Sequence, residues 1–319
     1  MKTISKAEMK KAILALAADR LKHPVILRPD FAKDPKLRSI RRASEKMARG
    51  LLKGAGLDVK QLETLQRQRS VELERIVKKH KADALQRASR QRDALHSSIQ
   101  AQSNALQSLA ARHGLLPNPF FVLDTPFLIL STPGSDSAAV PWDSWAKSDF
   151  KTSASQGTKY VSFFFFWENP NPLSDYSGIH ALTFLSATGY LKAHSPWDWG
   201  FQNESWVKAS AQFSYVINLG GGLPPESVFV GEAIAISNLW SGGDDAQSIS
   251  AERTLSLTRV AVPSIHSIVF EVDLVVSYRN DSGNIEADFK SGNFQITCPY
   301  VAFSLSNAPT VAQADAPPS

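Results

Sequence analysis

The sequence is poor in cysteine and has no long apolar run. Cys298 is the single cysteine among 319 residues, so an intramolecular disulfide is excluded and a disulfide-stabilised secreted fold is not indicated. It lies in a strand-like run, Phe294 to Phe303, which predicts a small core residue. The longest dense apolar run, Tyr160 to Trp167, is far shorter than the roughly 20 residues that a helix needs to cross a bilayer.

Sequence signatures of catalysis and of metal binding are also missing. There is no GxSxG, HExxH, P-loop or GxGxxG pattern, and none of the seven dispersed histidines pairs with a cysteine or another histidine at metal-ligand spacing. We therefore expect no enzyme, no metal and no cofactor, although a sandwich fold can assemble a site from loops far apart in the sequence. The segment Met1 to Lys22 is charged and has no apolar core, so no signal peptide is predicted. The expectation is a soluble protein, cytoplasmic or released by a route that needs no signal peptide.

Glycine and proline are absent between Val59 and His113, and this stretch predicts one long helix. Asp58 is placed to cap its first turn, and Gly114 and Pro117 end it. At about 1.5 Å per residue the helix would be on the order of 80 Å long.

Apolar residues recur every eleven positions along this stretch. Such spacing corresponds to about 3.67 residues per turn, so the apolar stripe stays nearly straight along the helix. A helix of this length cannot bury its stripe on itself and needs partner helices, in the same chain or in copies of the chain. Fold-back of the short N-terminal helices would cover only part of the stripe, which predicts a coiled coil between copies, a trimer or a dimer. A neighbouring line carries Leu65 and Ile76, and a polar line includes His80. The predicted oligomerisation residues are Leu62, Leu73, Val77, His80, Ala84, Ala88, Leu95, Ile99 and Leu106.

Charge is divided unevenly along the chain. Residues 1–115 hold 26 Lys and Arg against 11 Asp and Glu, a net charge of +15, and the remainder carries −10. Three interpretations stay open: a solvated helix surface, attraction between the basic helix and the acidic remainder of neighbouring copies, or binding to nucleic acid or an anionic membrane. The basic residues are spread around the helices, which favours the first two.

From Asn118 onward the helical periodicity is replaced by runs rich in Val, Ile, Phe, Tyr and Thr, bounded by turn residues. Alternation within these runs predicts antiparallel strands with one buried face. The fold class is therefore α+β and multi-domain, with a β-sandwich or jelly roll after the long helix. The predicted division is 1–57 short basic helices, 58–115 the long coiled-coil helix, 116–307 the β-sandwich and 308–319 a disordered tail. The short helices are expected over Ser5 to Lys22 and Asp34 to Lys53.

One stretch between two predicted strands combines aromatic and polar side chains. Aromatic rings can cover the C–H faces of a sugar while nearby amides and carboxylates bind its hydroxyls. The alternative is that the same rings close one end of the sandwich, and Trp142 and Trp145, in a predicted linker from Pro141 to Phe150, raise the same question. The candidate ligand-binding residues are His194, Trp197, Asp198, Trp199, Phe201, Asn203 and Trp206.

A second loop, Ser241 to Asp245, has two adjacent carboxylates in a glycine-rich setting. Such a loop is compatible with Ca²⁺ binding or with an ordinary solvated turn, and the signal is too weak to predict a metal.

Together these features predict a non-enzymatic, self-assembling protein whose sandwich binds a glycan or another cell-surface ligand, carbohydrate first. One alternative is a toxin-like, membrane-active protein whose basic amphipathic helices engage anionic lipid. The other is nucleic-acid binding by the basic helical region.

Overall fold

The computed structural model describes the long helix and most of the strands that follow it. The described residues are 7, 10–11, 46–47, 49–51, 53–56, 58–113, 120–132, 136–141, 144–152, 156–170, 176–194, 205–218, 229–241, 244–259, 266–280 and 283–307. The two short helices predicted before residue 57 lie for the most part outside this set, and the predicted tail 308–319 lies wholly outside it.

Helix α1 spans Val59–His113, which are the bounds that the sequence predicts. The carboxylate of Asp58 caps it, because its Oδ1 accepts hydrogen bonds from the backbone amides of Lys60 and Gln61 at 2.9 and 3.2 Å. Just before the cap, Gly56 has a φ of 78°, a left-handed conformation that glycine adopts without steric cost. Whether α1 forms a coiled coil stays a prediction. Among the described residues, no helix is both long enough and apolar enough to span a membrane.

Thirteen strands are described after α1. They are β1 Phe120–Leu123, β2 Leu128–Ser131, β3 Asp136–Val140, β4 Trp145–Thr152, β5 Gln156–Glu168, β6 Tyr176–His194, β7 Ser205–Asn218, β8 Phe229–Ser241, β9 Asp244–Arg259, β10 Ser267–Asn280, β11 Asn284–Asp288, β12 Gln295–Thr297 and β13 Val301–Asn307.

The strands form two sheets in which the pairings are antiparallel, so the predicted antiparallel sandwich is confirmed in its main feature. One sheet has five strands in the order β2-β5-β10-β7-β8. The other has eight and is built around the 19-residue β6, which pairs with β9 on one side and with β13, β12 and β11 in turn on the other. Strand β4 pairs with β11, β12 and β3.

The main core lies between the two sheets and consists of their inward side chains. Alternate residues of the central strand β10, from Ile268 to Tyr278, point into it, whereas the intervening residues point away. Aromatic rings stack across the layers, for example Phe270 against Phe303 with centroids 5.0 Å apart. Cys298 is fully buried in this core, which confirms the small core residue that the sequence predicts.

Several strand predictions need correction. The predicted linker from Pro141 to Phe150 is largely strand β4, whose inward positions include the small residues Ala146 and Ser148 and therefore show little hydrophobic signal. The runs Ile179 to Ala187 and Gly189 to His194 predict two strands, but β6 continues through Gly189, which pairs with Ile249 of β9. Glycine is required there because a Cβ atom would lie 2.5 Å from Cδ1 of Phe289. The predicted strand from Asn293 to Leu305 is two strands, β12 and β13.

Candidate functional site

Both sheets of the sandwich end together at the place where β6 is followed by β7. His194, the last residue of β6, lies opposite Asp244 at the start of β9 and opposite Asn284 at the start of β11. Ser205, the first residue of β7, lies opposite Ser241 and Asn280, the last residues of β8 and β10. We call this region the 194/205 end.

Hydrogen bonds tie the two sheets together at the 194/205 end. The hydroxyl of Ser205 donates to Oδ1 of Asn280 at 3.1 Å and lies 3.5 Å from the backbone carbonyl of His194. The amide of Asn280 in turn donates to the carbonyl of Gly283 at 2.6 Å and accepts from its N–H at 2.7 Å. Ser205 and Asn280 are buried, so these bonds hold the strand ends in fixed positions.

Four connections join strands at the 194/205 end. The pairs Thr152 with Ile285 and Gln156 with Arg279 place the end of β4 and the start of β5 there as well. The connecting segments are 153–155, 195–204, 242–243 and 281–283. The antiparallel topology thus brings to one place the strand ends that border these segments, His194, Ser205, Ser241, Asp244 and Asn280, which are far apart in the sequence.

Trp206 is the aromatic residue described at this end. Its neighbours in β7, Ser205 and Val207, are fully buried, whereas Trp206 is partly exposed and lies at an outward position of the five-stranded sheet. It lies opposite Trp240 of β8 and Arg279 of β10. Directly opposite residues of antiparallel strands have Cβ atoms about 4.5 to 5.5 Å apart, close enough for a guanidinium and an indole ring to interact. Lys208, two residues further along, is exposed on the same face.

The structure describes two of the seven predicted ligand-binding residues. His194 and Trp206 are described, at the end of the eight-stranded and the start of the five-stranded sheet, on the two sides of the connecting segment. The other five, Trp197, Asp198, Trp199, Phe201 and Asn203, lie outside the described residues. The sequence does not identify Arg279 as a neighbour of Trp206, because only the pairing of β7 with β10 brings the two residues together. The available signal of their outward position was that each alternates with inward apolar residues along its strand.

The two carboxylates of the predicted acidic loop belong to the first residues of strand β9, which pair with the end of β6. Asp245 is exposed, and its Oδ1 accepts a hydrogen bond from the next backbone amide, that of Ala246, at 2.8 Å. No three His, Cys, Asp or Glu side chains in the described ranges are grouped so as to hold a metal ion.

A second candidate region is the contact between the middle of α1 and the outer face of the eight-stranded sheet, which we call the helix dock. Its apolar centre is a cluster of five buried residues, three from α1 and two from the sheet side. The cluster consists of Val77, Ala84, Ala88, Tyr190 and Phe294.

Polar contacts surround the apolar centre of the helix dock. The ammonium group of Lys81 lies 2.6 Å from Oε1 of Glu286 and 2.7 Å from Oδ2 of Asp288. Asp288 is 1% exposed and also accepts hydrogen bonds from the backbone amides of Lys290 and Ser291 and from the hydroxyl of Ser291. One buried carboxylate thus organises the turn after β11 and binds the helix.

Burial and charge shift the protonation equilibria of these groups in defined directions. Burial alone would lower the pKa of Lys81, but its hydrogen bonds to Asp288 and Glu286 outweigh this and hold the pKa above its ordinary value. Burial alone would raise the pKa of Asp288, but the hydrogen bonds from Lys81 and Ser291 hold it below its ordinary value. Both shifts favour the ion pair across the neutral range. Burial, with a contribution from the Glu286 carboxylate, raises the pKa of Tyr190 to about 12.

The predicted oligomerisation residues fall into three groups. Val77, Ala84 and Ala88 are buried in the helix dock, against their own chain. His80 is exposed, as are Leu65 and Ile76 on the neighbouring apolar line. The side chains of the remaining five, Leu62, Leu73, Leu95, Ile99 and Leu106, lie outside what the structure describes. Self-association of α1 therefore stays a prediction, and three of its residues are covered by the sheet in this conformation.

Comparison with known proteins assigns no family. No protein-family model matches the chain, and no curated protein matches it. Among solved structures, the CBM22-1–GH10 modules of a Clostridium thermocellum xylanase complexed with xylohexaose are similar over 60% of this chain and 29% of theirs, with 10% identity and a TM-score of 0.25.

Two smaller modules are also similar. TmCBM61 in complex with β-1,4-galactotriose has 9% identity over 55% of this chain and 89% of its own, with a TM-score of 0.20. CBM29_1 from Piromyces equi has 14% identity over 60% and 93%, with a TM-score of 0.18. Likeness this distant carries no argument about family or ligand.

Proposed function

We propose that this chain is a non-enzymatic, self-associating protein whose β-sandwich binds carbohydrate at the 194/205 end. The observation that carries the binding proposal is the position of Trp206. Trp206 is partly exposed, follows the segment 195–204 directly in the sequence after Ser205, and lies opposite Arg279 in the sheet. That segment contains three further aromatic residues, Trp197, Trp199 and Phe201.

The chemistry of these residue types suits a sugar. An indole ring covers the apolar C–H face of a pyranose, and guanidinium, ammonium and amide groups donate hydrogen bonds to hydroxyl oxygens. Arg279, Lys208 and Gln156 supply such donors near Trp206. The buried bonds between Ser205 and Asn280 hold the strand ends that carry Trp206 and Arg279, which reduces the ordering cost of binding.

Binding without catalysis is favoured by the residues next to Trp206. Glycoside hydrolysis generally requires two carboxyl groups on either side of the scissile bond. Among the described side chains, the outward positions adjoining Trp206 hold Arg279, Lys208 and Gln156, which are cationic or neutral. The exposed carboxylate of Asp245 at the same end belongs to β9 of the other sheet.

The test is a glycan array with the full-length chain, followed by titration calorimetry of the strongest ligand with three proteins: wild type, Trp206→Ala and Trp145→Ala. Trp145 is the matched control, because it is also partly exposed but begins β4 at the opposite end from Thr152. We expect Trp206→Ala to weaken binding at least about tenfold, roughly 1.4 kcal/mol, and Trp145→Ala to leave it unchanged. A blank array, or equal losses in both variants, would refute the site.

A further inference from the structure

The helix dock occupies residues that the eleven-residue pattern assigns to contacts between copies. Val77, Ala84 and Ala88 belong to two of the apolar lines of α1, and the sheet of the same chain covers them. A single helix face cannot pack on a sheet and on a second helix at the same time. The docked arrangement and an α1–α1 contact through these residues are therefore mutually exclusive.

We propose that the helix dock is an autoinhibitory contact: while α1 lies on its own sheet, the face formed by Val77, Ala84 and Ala88 is closed to the α1 of a second copy, and release of the helix opens it. The inference rests on the self-association in the proposed function and adds how that association is controlled.

The dock has the composition of a releasable contact. The buried apolar side chains that α1 contributes are one valine and two alanines, which bury little area compared with leucine or phenylalanine. Leu85 adds a partly buried contact beside them. The rest is polar: the Lys81 ion pairs, a hydrogen bond from Asn293 to Ser89 at 2.7 Å, and one from Arg87 to Ser248 at 3.3 Å. Water can replace the partners of the exposed members of this set, so their net contribution is modest.

A second copy of the chain is the occupant that the pattern favours. The eleven-residue spacing keeps an apolar face straight along 55 residues, a property that suits packing against another helix of the same period. Outside the dock, Leu65, Val71 and Ile76 on the same helix are 55%, 53% and 45% exposed. With about 100° of rotation per residue they lie roughly 100 to 120° around the helix from Val77, so they flank the docked face and are not part of it.

Competition of this kind has a quantitative consequence. If the dock holds most of the molecules in the closed form, the apparent affinity between copies is reduced by the small fraction that is open. Weakening the dock on the sheet side, without changing α1, must then strengthen association until most of the molecules are open.

The first experiment changes only the sheet side of the full-length chain. Glu286→Gln with Asp288→Asn removes both charges that hold Lys81, and Glu252→Gln is the matched control, an exposed carboxylate on β9 that is not part of the dock. Spin labels on Gln86→Cys and Thr254→Cys, both exposed, report the distance between α1 and the sheet, because the buried Cys298 does not compete for label. Sedimentation velocity over a range of concentrations reports association.

We expect a short label distance and mainly monomers in the wild type and in the control. In the double variant we expect a longer distance and an association constant at least about tenfold higher. If the wild type associates with the label distance still short, autoinhibition is refuted while self-association stands. If the double variant releases the helix but remains monomeric at every concentration, the proposed self-association fails as well.

A disulfide across the dock tests the proposal even if the charge changes leave α1 on the sheet. Ser89→Cys with Asn293→Cys replaces a hydrogen-bonded side-chain pair with one that can form a disulfide across the dock. At concentrations high enough for the reduced chain to associate, the oxidised chain is expected to remain monomeric. Equal association of the two forms overturns the proposal.

Discussion

The phenol of Tyr190 donates a hydrogen bond to the backbone carbonyl of Val77, with the two oxygen atoms 3.1 Å apart. Tyr190 is 1% exposed and belongs to β6, the strand around which the eight-stranded sheet is built. The ammonium group of Lys81, one turn further along α1, lies 5.6 Å from the centre of the same ring. A single aromatic residue thus contacts the helix through its hydroxyl, its ring face and its apolar edge.

Replacing Lys81 with glutamine is expected to destabilise the chain by about 2 kcal/mol, because the nearly buried carboxylate of Asp288 loses its cation. Lys79→Gln is the matched control, since Lys79 is an exposed lysine on the same helix. Urea unfolding of both variants measures the difference. Equal unfolding free energies would show that the ion pair contributes nothing net.

The helix dock is expected to weaken in acid. The pKa of Asp288 lies below its ordinary value of 3.8, so its contribution is present above the unfolded-state pKa and is lost as the pH falls through the folded-state pKa. Asp149 acts in the opposite sense, because burial raises its pKa and protonation relieves a cost. The net expectation is a dock that persists down to about pH 4 and weakens below it, measured by the α1-to-sheet label distance across a pH series. A distance that increases near neutral pH would contradict it.

The dock is also expected to weaken in strong alkali. The pKa of Lys81 lies above its ordinary value of 10.5, so its contribution is complete below that value and is lost as the pH rises through the folded-state pKa. Tyr190, with its pKa raised to about 12, adds a loss of stability that begins at its ordinary value of 10.0. In Lys81→Gln, the free energy of unfolding should fall less steeply with pH above pH 10 than in the wild type. An equal slope in the two proteins would show that the Lys81 ammonium group does not cause the loss.

Gly189→Ala is expected to cost about 1 to 3 kcal/mol of unfolding free energy, the usual range for overpacking. A Cβ atom at this position would lie 2.5 Å from Cδ1 of Phe289 and 2.7 Å from the carbonyl oxygen of Asp288. Gly54→Ala is the control, because no heavy atom lies within 4 Å of the Cβ it would add. Urea unfolding of the two variants checks the difference. Equal unfolding free energies of the two variants would show that the surroundings of Gly189 admit a methyl group without loss of stability.

Cys298 is expected to be inert in the folded chain. It is fully buried, and burial raises its pKa to about 12, so the reactive thiolate is scarcely populated near neutral pH. Titration with a chromogenic disulfide reagent should detect no thiol in native buffer and one thiol per chain in denaturant. Rapid reaction in native buffer would show that this part of the core opens readily.

The sequence predicts the elements whose signals are local. The bounds of α1 follow from an uninterrupted run of helix-compatible residues and the Asp58 cap, and most strands follow from alternation. Strand β4 is missed because Ser148, which is buried, breaks the apolar pattern at an inward position. The sequence pattern predicts a strand from Ser250 to Val262, but β9 begins at Asp244, because β6 pairs with it along its whole length.

Contacts between elements that are far apart in the sequence cannot be predicted from local patterns. A lysine on a basic helix is usually solvated, so nothing near Lys81 in the sequence indicates that two carboxylates of β11 bind it. The apolar lines of α1 predict a surface that needs cover, and the sheet covers three of its residues, Val77, Ala84 and Ala88. The periodicity alone does not indicate that a sheet of the same chain lies there. Which partner it meets depends on the rest of the fold.

The distance along the chain between the two sides of the helix dock sets an order of events during synthesis. Lys81 precedes Glu286 by 205 residues. At about 5 to 20 residues per second, a ribosome needs on the order of 10 to 40 s to make that interval. During this time α1 has been made but the strands that complete the sheet it packs on have not, so its apolar face is open to other contacts before the dock can form.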